Sequence, residues 1–297
     1  MRPFPRSVFL PLLLMACTTT EGGDGTALPA EAAMPLGETA TPRPTPRTAV
    51  PASTLRSDAS ARSMLTAAIA VHEHQRRVAI ENLANVDTCG FKRRVAVTST
   101  QPITAADGQV HLAPTVLGST PVIQVGALET TGRTLDVAID GEGFFAVQHL
   151  DGSTRYTRDG RFGLNADSKL VTMSGQVLLP EITFPQDTLD TTIAPDGSVT
   201  VRTAGSPDCT CLLGKLTLHR FVNPVALRPE GNLLAPNEGS GQPITNSPGT
   251  TGLGLLRHRC LERSTVQTGQ ELQALRTAEQ HLQSLHEALA QCGMDWP

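Results

Sequence analysis

A helix-period apolar repeat at the C-terminal end constrains this chain most. Leu275, Ala278, Leu282, Leu285, Leu289 and Cys292 recur at alternating spacings of three and four. That heptad spacing places them on one face of a helix predicted over Thr268 to Gln291, and such a seam wants another helix against it. The best candidate partner is a helix predicted over Ala61 to Asn85. There Met64, Ala68, Val71, Gln75, Val78 and Asn82 form a mixed stripe, with Leu65 and Leu83 beside it. Pairing the two ends in coiled-coil fashion makes everything between them an excursion.

The excursion reads as β structure. Asp140-Gly141, Asp151-Gly152, Asp159-Gly160 and Asp196-Gly197 are hairpin-type turn signals. Short runs such as Phe144-Phe145-Ala146-Val147 and Val199-Thr200-Val201 lie between them. With 3% aromatic residues, the core is built mostly from Leu, Val, Ile and Ala. The predicted fold class is mainly β with helical termini: a compact all-β central domain between two helices that pair with each other. Its parts are an N-terminal helical unit over 61–98, a β domain over 120–235, an extended return over 236–254 and a C-terminal helical unit over 255–297.

The N-terminus reads as a targeting segment. Arg2 and Arg6 precede the apolar run Val8 to Ala16, and Cys17 follows. A positive start and a run too short to span a bilayer predict a signal of the lipoprotein type over 1–17, with Cys17 lipidated. Residues 18–60 are rich in Pro, Thr and Ala and hold no aromatic residue. Such a stretch buries too little to offset its ordering entropy. Fully extended, it reaches about 130 Å, enough to tether a folded body to a membrane.

The chemistry-bearing residues give no active site, and no catalytic, cofactor-binding or metal-binding residue is predicted. A net charge of -4 leaves no footprint for nucleic acid. Asp136 and Asp140 are paired carboxylates within a strand-and-turn pattern, where turn amides are their expected partners. His72 and His74 lie two apart on a helix and face different ways. Cys209-Thr210-Cys211 lacks the spacing of a zinc pair. No phosphate loop, nucleophile elbow or zinc-helix signature is present.

Several motifs in fixed order carry a resemblance. Asn82 to Lys92 read Asn-Leu-Ala-Asn-Val-Asp-Thr-Cys-Gly-Phe-Lys. Leu135 to Phe145, Tyr156 to Phe162, Phe221 to Pro224, Gly231 to Leu233 and Leu261 to Ser264 follow. Together they resemble the axial rod and hook proteins of the bacterial flagellar basal body, most closely their distal rod branch, over about Met64 to Leu289. The resemblance implies a structural subunit that transmits torque from motor to hook and supports motility. Its implied partners are copies of itself and other rod and hook proteins, and its place is the basal body, within the periplasm. The implied assembly residues are Asn82, Leu83, Ala84, Asn85, Thr88, Gly90 and Phe91, with Leu275, Leu282, Leu285 and Leu289. The chain departs from the family at its N-terminal extension, at Ser264-Thr265-Val266 and at Glu279-Gln280-His281-Leu282, and its 93–124 segment is short. Met64 sits where the family usually starts, so an internal start is an alternative. The extension also admits a different class: a membrane-tethered periplasmic lipoprotein of the same fold, acting as an accessory without polymerising.

Cys89 lies just past the first helix and Cys260 just before the last. Antiparallel helices bring those ends together, so a Cys89–Cys260 disulfide is one expectation. It would close a loop of about 170 residues and contribute roughly 5 kcal/mol. The other expectation is two small buried residues.

Overall fold

A computed structural model describes residues 59–104 and 110–291. The expected leader 1–17, most of the linker 18–60, Cys17 and Cys292 lie outside the described residues. Helix α1 spans Ala59–Ala84 and helix α2 spans Thr268–Gln291. The second matches its prediction; the first starts two residues earlier and ends one earlier.

The helices pair antiparallel. Ile69, Leu282 and Leu289 form a buried cluster, with Leu65 and Leu285 packed against it. Further along, the His72 and His281 rings lie 4.6 Å apart. Helix α1 also has a second partner that the sequence reading lacks. Strands β1 (Arg94–Thr104) and β2 (Val110–Pro121) form an antiparallel hairpin. His74 Nε2 on α1 lies 2.7 Å from the Gly118 carbonyl of β2. With two partners, α1 buries Ile69, Val71, His74, Val78, Ala79 and Asn82, while Gln75 of the predicted stripe is exposed.

The β body begins with β3 (Leu128–Thr130) and β4 (Val137–Asp140). Then come β5 (Phe145–Gln148), β6 (Thr154–Thr157), β7 (Phe162–Leu164), β8 (Leu170–Thr172) and β9 (Val177–Leu179). Strands β10 (Thr188–Ile193), β11 (Ser198–Thr203) and β12 (Ser206–Lys215) form a separate three-stranded sheet. After β13 (Leu218–Arg220), strands β14 (Arg228–Glu230) and β15 (Leu233–Ala235) complete a seven-stranded sheet of order β14-β15-β6-β5-β9-β8-β7.

Near the middle of that sheet, β5 shows strand periodicity at work. Phe145 and Val147 point into one core with Phe162, Leu170, Leu178 and Leu218. Phe144 and Ala146 point into the other with Tyr156, Phe221 and Leu234. Successive strand residues face opposite sides, so a strand apolar at every position is one buried on both faces. Phe145 meets Phe162 edge-on at 5.2 Å, and Tyr156 meets Phe221 at 4.7 Å.

Strand pairing continues past residue 235. Within the predicted extended return, β16 (Ile244–Asn246) pairs with β13, and a 3-10 turn over Glu238–Ser240 is capped by Asn237. Strands β17 (Leu255–His258) and β18 (Cys260–Glu262) then pair with β4 and β3. The chain therefore leaves the β body beside the strands by which it entered, as paired terminal helices require.

Two of the four Asp-Gly signals close hairpins. Asp151-Gly152 joins β5 to β6, and Asp196-Gly197 joins β10 to β11. Asp140-Gly141 and Asp159-Gly160 instead turn the chain between strands that are not paired. At Gly160 a close approach explains the residue: an added Cβ would lie 1.6 Å from the Val137 carbonyl oxygen.

Candidate assembly interface

The helix seam and the β body meet at one polar junction. Two acids form its centre, Glu262 at the end of β18 and Glu271 in the first turn of α2, each 1% exposed. A buried charge is tolerated only when paired and hydrogen-bonded. Both acids meet that condition.

Glu262 Oε1 accepts from Lys92 Nζ and, at 2.6 Å, from the Gly126 amide. Its Oε2 accepts from Arg158 Nε at 2.6 Å. The Arg158 guanidinium also donates to the carbonyls of Ile139 at 3.0 Å, Gly141 at 2.8 Å and Gly143 at 2.7 Å. Lys92 Nζ donates to the Gln124 carbonyl as well. Burial pulls Lys92 down to about 8, against the attraction of Glu262.

Glu271 ties the other side. Its carboxylate accepts from Asn82 Nδ2 at 3.0 Å and from Arg93 Nε. A carboxylate in a first helical turn also suits the helix dipole.

Asn82, fully buried, brackets the start of β1. Its Nδ2 donates to the Arg94 carbonyl at 2.8 Å, and its Oδ1 accepts from the Arg94 amide at 2.9 Å. Leu83 is half-buried and Ala84 exposed. Asn85 donates to the Glu81 carbonyl and accepts from the Thr88 hydroxyl at 3.0 Å, closing the turn after α1. Gly90 has φ +67, and a Cβ there would lie 2.3 Å from the Arg158 carbonyl carbon. Its amide donates to the Glu262 carbonyl at 2.8 Å. Phe91 is 2% exposed, under the Arg94 guanidinium at 5.2 Å. On α2, Leu282 and Leu289 are buried, whereas Leu275 and Leu285 are half-buried.

The motif residues Asn82, Gly90 and Phe91 thus gather at the junction, while the leucines line the seam. Glu262, Glu271 and Arg158 are absent from the expected assembly residues. Arg158 and Glu262 nevertheless lie inside the motifs Tyr156 to Phe162 and Leu261 to Ser264, whereas Glu271 lies outside every motif.

Several other expectations are corrected. Cys89 and Cys260 are free, not bridged. The Cys89 sulfur accepts from Arg161 at 3.0 Å, and Cys260 Sγ lies 3.7 Å from the Thr130 hydroxyl. Asp136 takes side-chain partners rather than turn amides: the Thr131 hydroxyl at 2.7 Å and Arg133 at 3.2 Å. Asp140 likewise pairs with Arg257 at 2.8 Å.

Residues 138–201 match the family described as the flagellar hook protein FlgE/F/G D1 domain. The chain is 35% identical over 219 residues to the flagellar basal-body rod protein FlgG of Agrobacterium fabrum, covering 68% of this chain and 83% of that one. It is 41% identical over 207 residues to the FlgG of Buchnera aphidicola subsp. Acyrthosiphon pisum, covering 64% and 79%. With the FlgG of Borreliella burgdorferi it shares 32% identity over 240 residues, covering 73% and 89%. Each of these relatives is at least 30% identical and is matched over more than three quarters of its own length, and the chain belongs to the family of flagellar basal-body rod proteins.

Proposed function

We propose that this chain is a structural subunit of the flagellar basal-body rod, in its distal segment. In this role it assembles with copies of itself and with other rod and hook proteins, and carries torque from motor to hook. The junction of Asn82, Lys92, Arg93, Arg158, Glu262 and Glu271 is the observation that carries the reading, because it fastens both terminal helices to the β body. A subunit under torque needs its parts joined stiffly, and buried ionic networks hold a fixed geometry once fully satisfied. In the same proposal, the leucine seam and the Asn82–Phe91 motif set the helix layer from which the tube is built.

Changing Leu282 and Leu285 together to Asp tests this. Charge placed in the seam costs several kcal/mol. The variant is expected to give a soluble β body and no rods in electron micrographs of basal bodies. Normal rods and normal swimming would refute the proposal.

A lipid on Cys17, holding the chain at the periplasmic face of a membrane, is a further part of it. The support is the positive start and apolar run before that cysteine. Mass spectrometry of the native protein should find acylated Cys17; an unmodified N-terminus near Met64 would reject it.

A further inference from the structure

A cavity of about 460 Å³ opens on the β body between the loops around Val125, Gly143 and Val222. That volume lies in the range of sites that hold a ligand or a side-chain anchor, about 300–1,000 Å³. Its walls are mixed: Ile123, Val125, Phe144 and Phe221 supply an apolar side, and Lys92, Glu142, Arg158 and Arg220 a charged one. Lys92 and Arg158 at its wall spend their charge on Glu262. Arg220 does not: it forms no ion pair among the described residues, and its buried Nε has no acceptor. Glu142 is the only acid of the lining, and it leaves Arg220 unpaired. A cavity with an apolar side and an unpaired guanidinium calls for an apolar group next to a carboxylate.

The chain itself displays such a pair. Leu150, at the β5–β6 turn, is 94% exposed, the highest exposure among the large apolar residues described. Asp151 follows it, its carboxyl held well below the usual range by the Ser153 hydroxyl and amide. Arg155 reaches the Asp151 Oδ2 at 3.4 Å, and the half-exposed carboxylate keeps room for a second cation. The turn is already closed: the His149 amide donates to the Ser153 carbonyl at 2.8 Å, and the Gly152 amide to the His149 carbonyl at 3.0 Å. A preformed tip loses little entropy on docking. Strand β5 runs away from the cavity, so its own tip is about 20 Å from Phe144 and cannot fold back.

We infer that the Leu150-Asp151 tip of one copy seats in the Arg220 cavity of the next. A knob and a hole on different patches of one surface make a heterologous contact, which propagates as an open helix instead of closing as a dimer. The inference rests on the rod reading and names one of its contacts.

The test is a disulfide trap in assembled basal bodies. In full-length chain with every cysteine beyond Cys17 changed to Ser, Leu150→Cys is combined with Val222→Cys, an exposed lip residue. Mild oxidation is expected to yield a ladder of dimers, trimers and higher species, absent from either single variant. Normal rods with no ladder, or with dimers alone, overturn the inference and leave the rod reading standing. Absence of the wild-type chain from basal bodies overturns both. Should the paired cysteines block assembly, Arg220→Glu is expected to lower incorporation about tenfold through charge repulsion; incorporation at the wild-type level overturns the inference.

Discussion

Glu262→Gln is the sharpest probe of the junction. The carboxylate is buried and accepts from Lys92, Arg158 and the Gly126 amide. Gln keeps the size and one acceptor but removes the charge. Two cations, each with a 4% exposed side chain, are then left without their anion. Removing one partner of a buried pair costs about 3–5 kcal/mol. Lys92 has a way out, which is to lose its proton. Burial already holds it down at about 8, and Glu262 raises it; without Glu262 it falls further. Neutralising an ordinary lysine at pH 7 costs about 5 kcal/mol, which sets the ceiling for that group. Arg158 has no such exit, because a guanidinium stays charged.

The expected loss is therefore about 3–5 kcal/mol, a large part of the ~5–15 kcal/mol that holds a typical domain. Urea unfolding followed by circular dichroism reads it as a lowered midpoint at unchanged slope. Glu129→Gln is the control: its Arg263 partner is 3.4 Å away and both side chains are exposed, so the loss should stay below about 1 kcal/mol. Adding Lys92→Met to Glu262→Gln should recover part of the loss, since the two residues share one pair. Equal losses from Glu262→Gln and the control would refute the argument that the junction is held by paired buried charge.

Gly90→Ala should destabilise by more than about 2 kcal/mol, because it adds a backbone clash to a left-handed conformation. Gly132→Ala shares the positive φ but meets nothing within 4 Å, so about 1 kcal/mol is expected; equal losses in denaturant would contradict the close packing of Gly90 on Arg158. Lys92 predicts a pH dependence of definite sign. Its folded value of about 8 lies below the ordinary lysine value, so between about pH 8 and 10 the unfolded chain holds a proton that the folded chain has released. Stability from this group therefore rises with pH across that window and is absent in Lys92→Met. The wild-type advantage over the variant should grow by about 3 kcal/mol between those limits, and a flat difference would reject the shift.

The leucine spacing of α2 was legible because a helix seam imposes its period on the sequence directly. The β1–β2 hairpin was not. Pro102 and Pro114 sit inside its strands, and proline argues against a strand wherever the ladder needs its amide. A two-stranded hairpin has free edges on both sides, so the prolines are tolerated. Asp140-Gly141 and Asp159-Gly160 show a related gap. Turn chemistry predicts where the chain bends, but not which strands pair afterwards. Glu262 and Glu271 were hidden for another reason. Each reads locally as a surface acid, and its burial depends on Lys92, Arg93, Arg158 or Asn82, more than 100 residues away in the chain.

That long separation is what makes the junction stiff. Four consecutive residues after α1 reach the segment that leads into α2. The Gly90 amide meets the Glu262 carbonyl, and the Phe91 carbonyl accepts from the Thr265 amide. Lys92 pairs with Glu262, and Arg93 pairs with Glu271 while its amide donates to the Thr265 hydroxyl. A single peptide linker would swivel about its two soft dihedrals at every residue. Two antiparallel segments bonded at four successive residues have no common axis about which both can turn. Rotation applied to the helix pair must then move the β body with it, or break buried ion pairs on both acids at once.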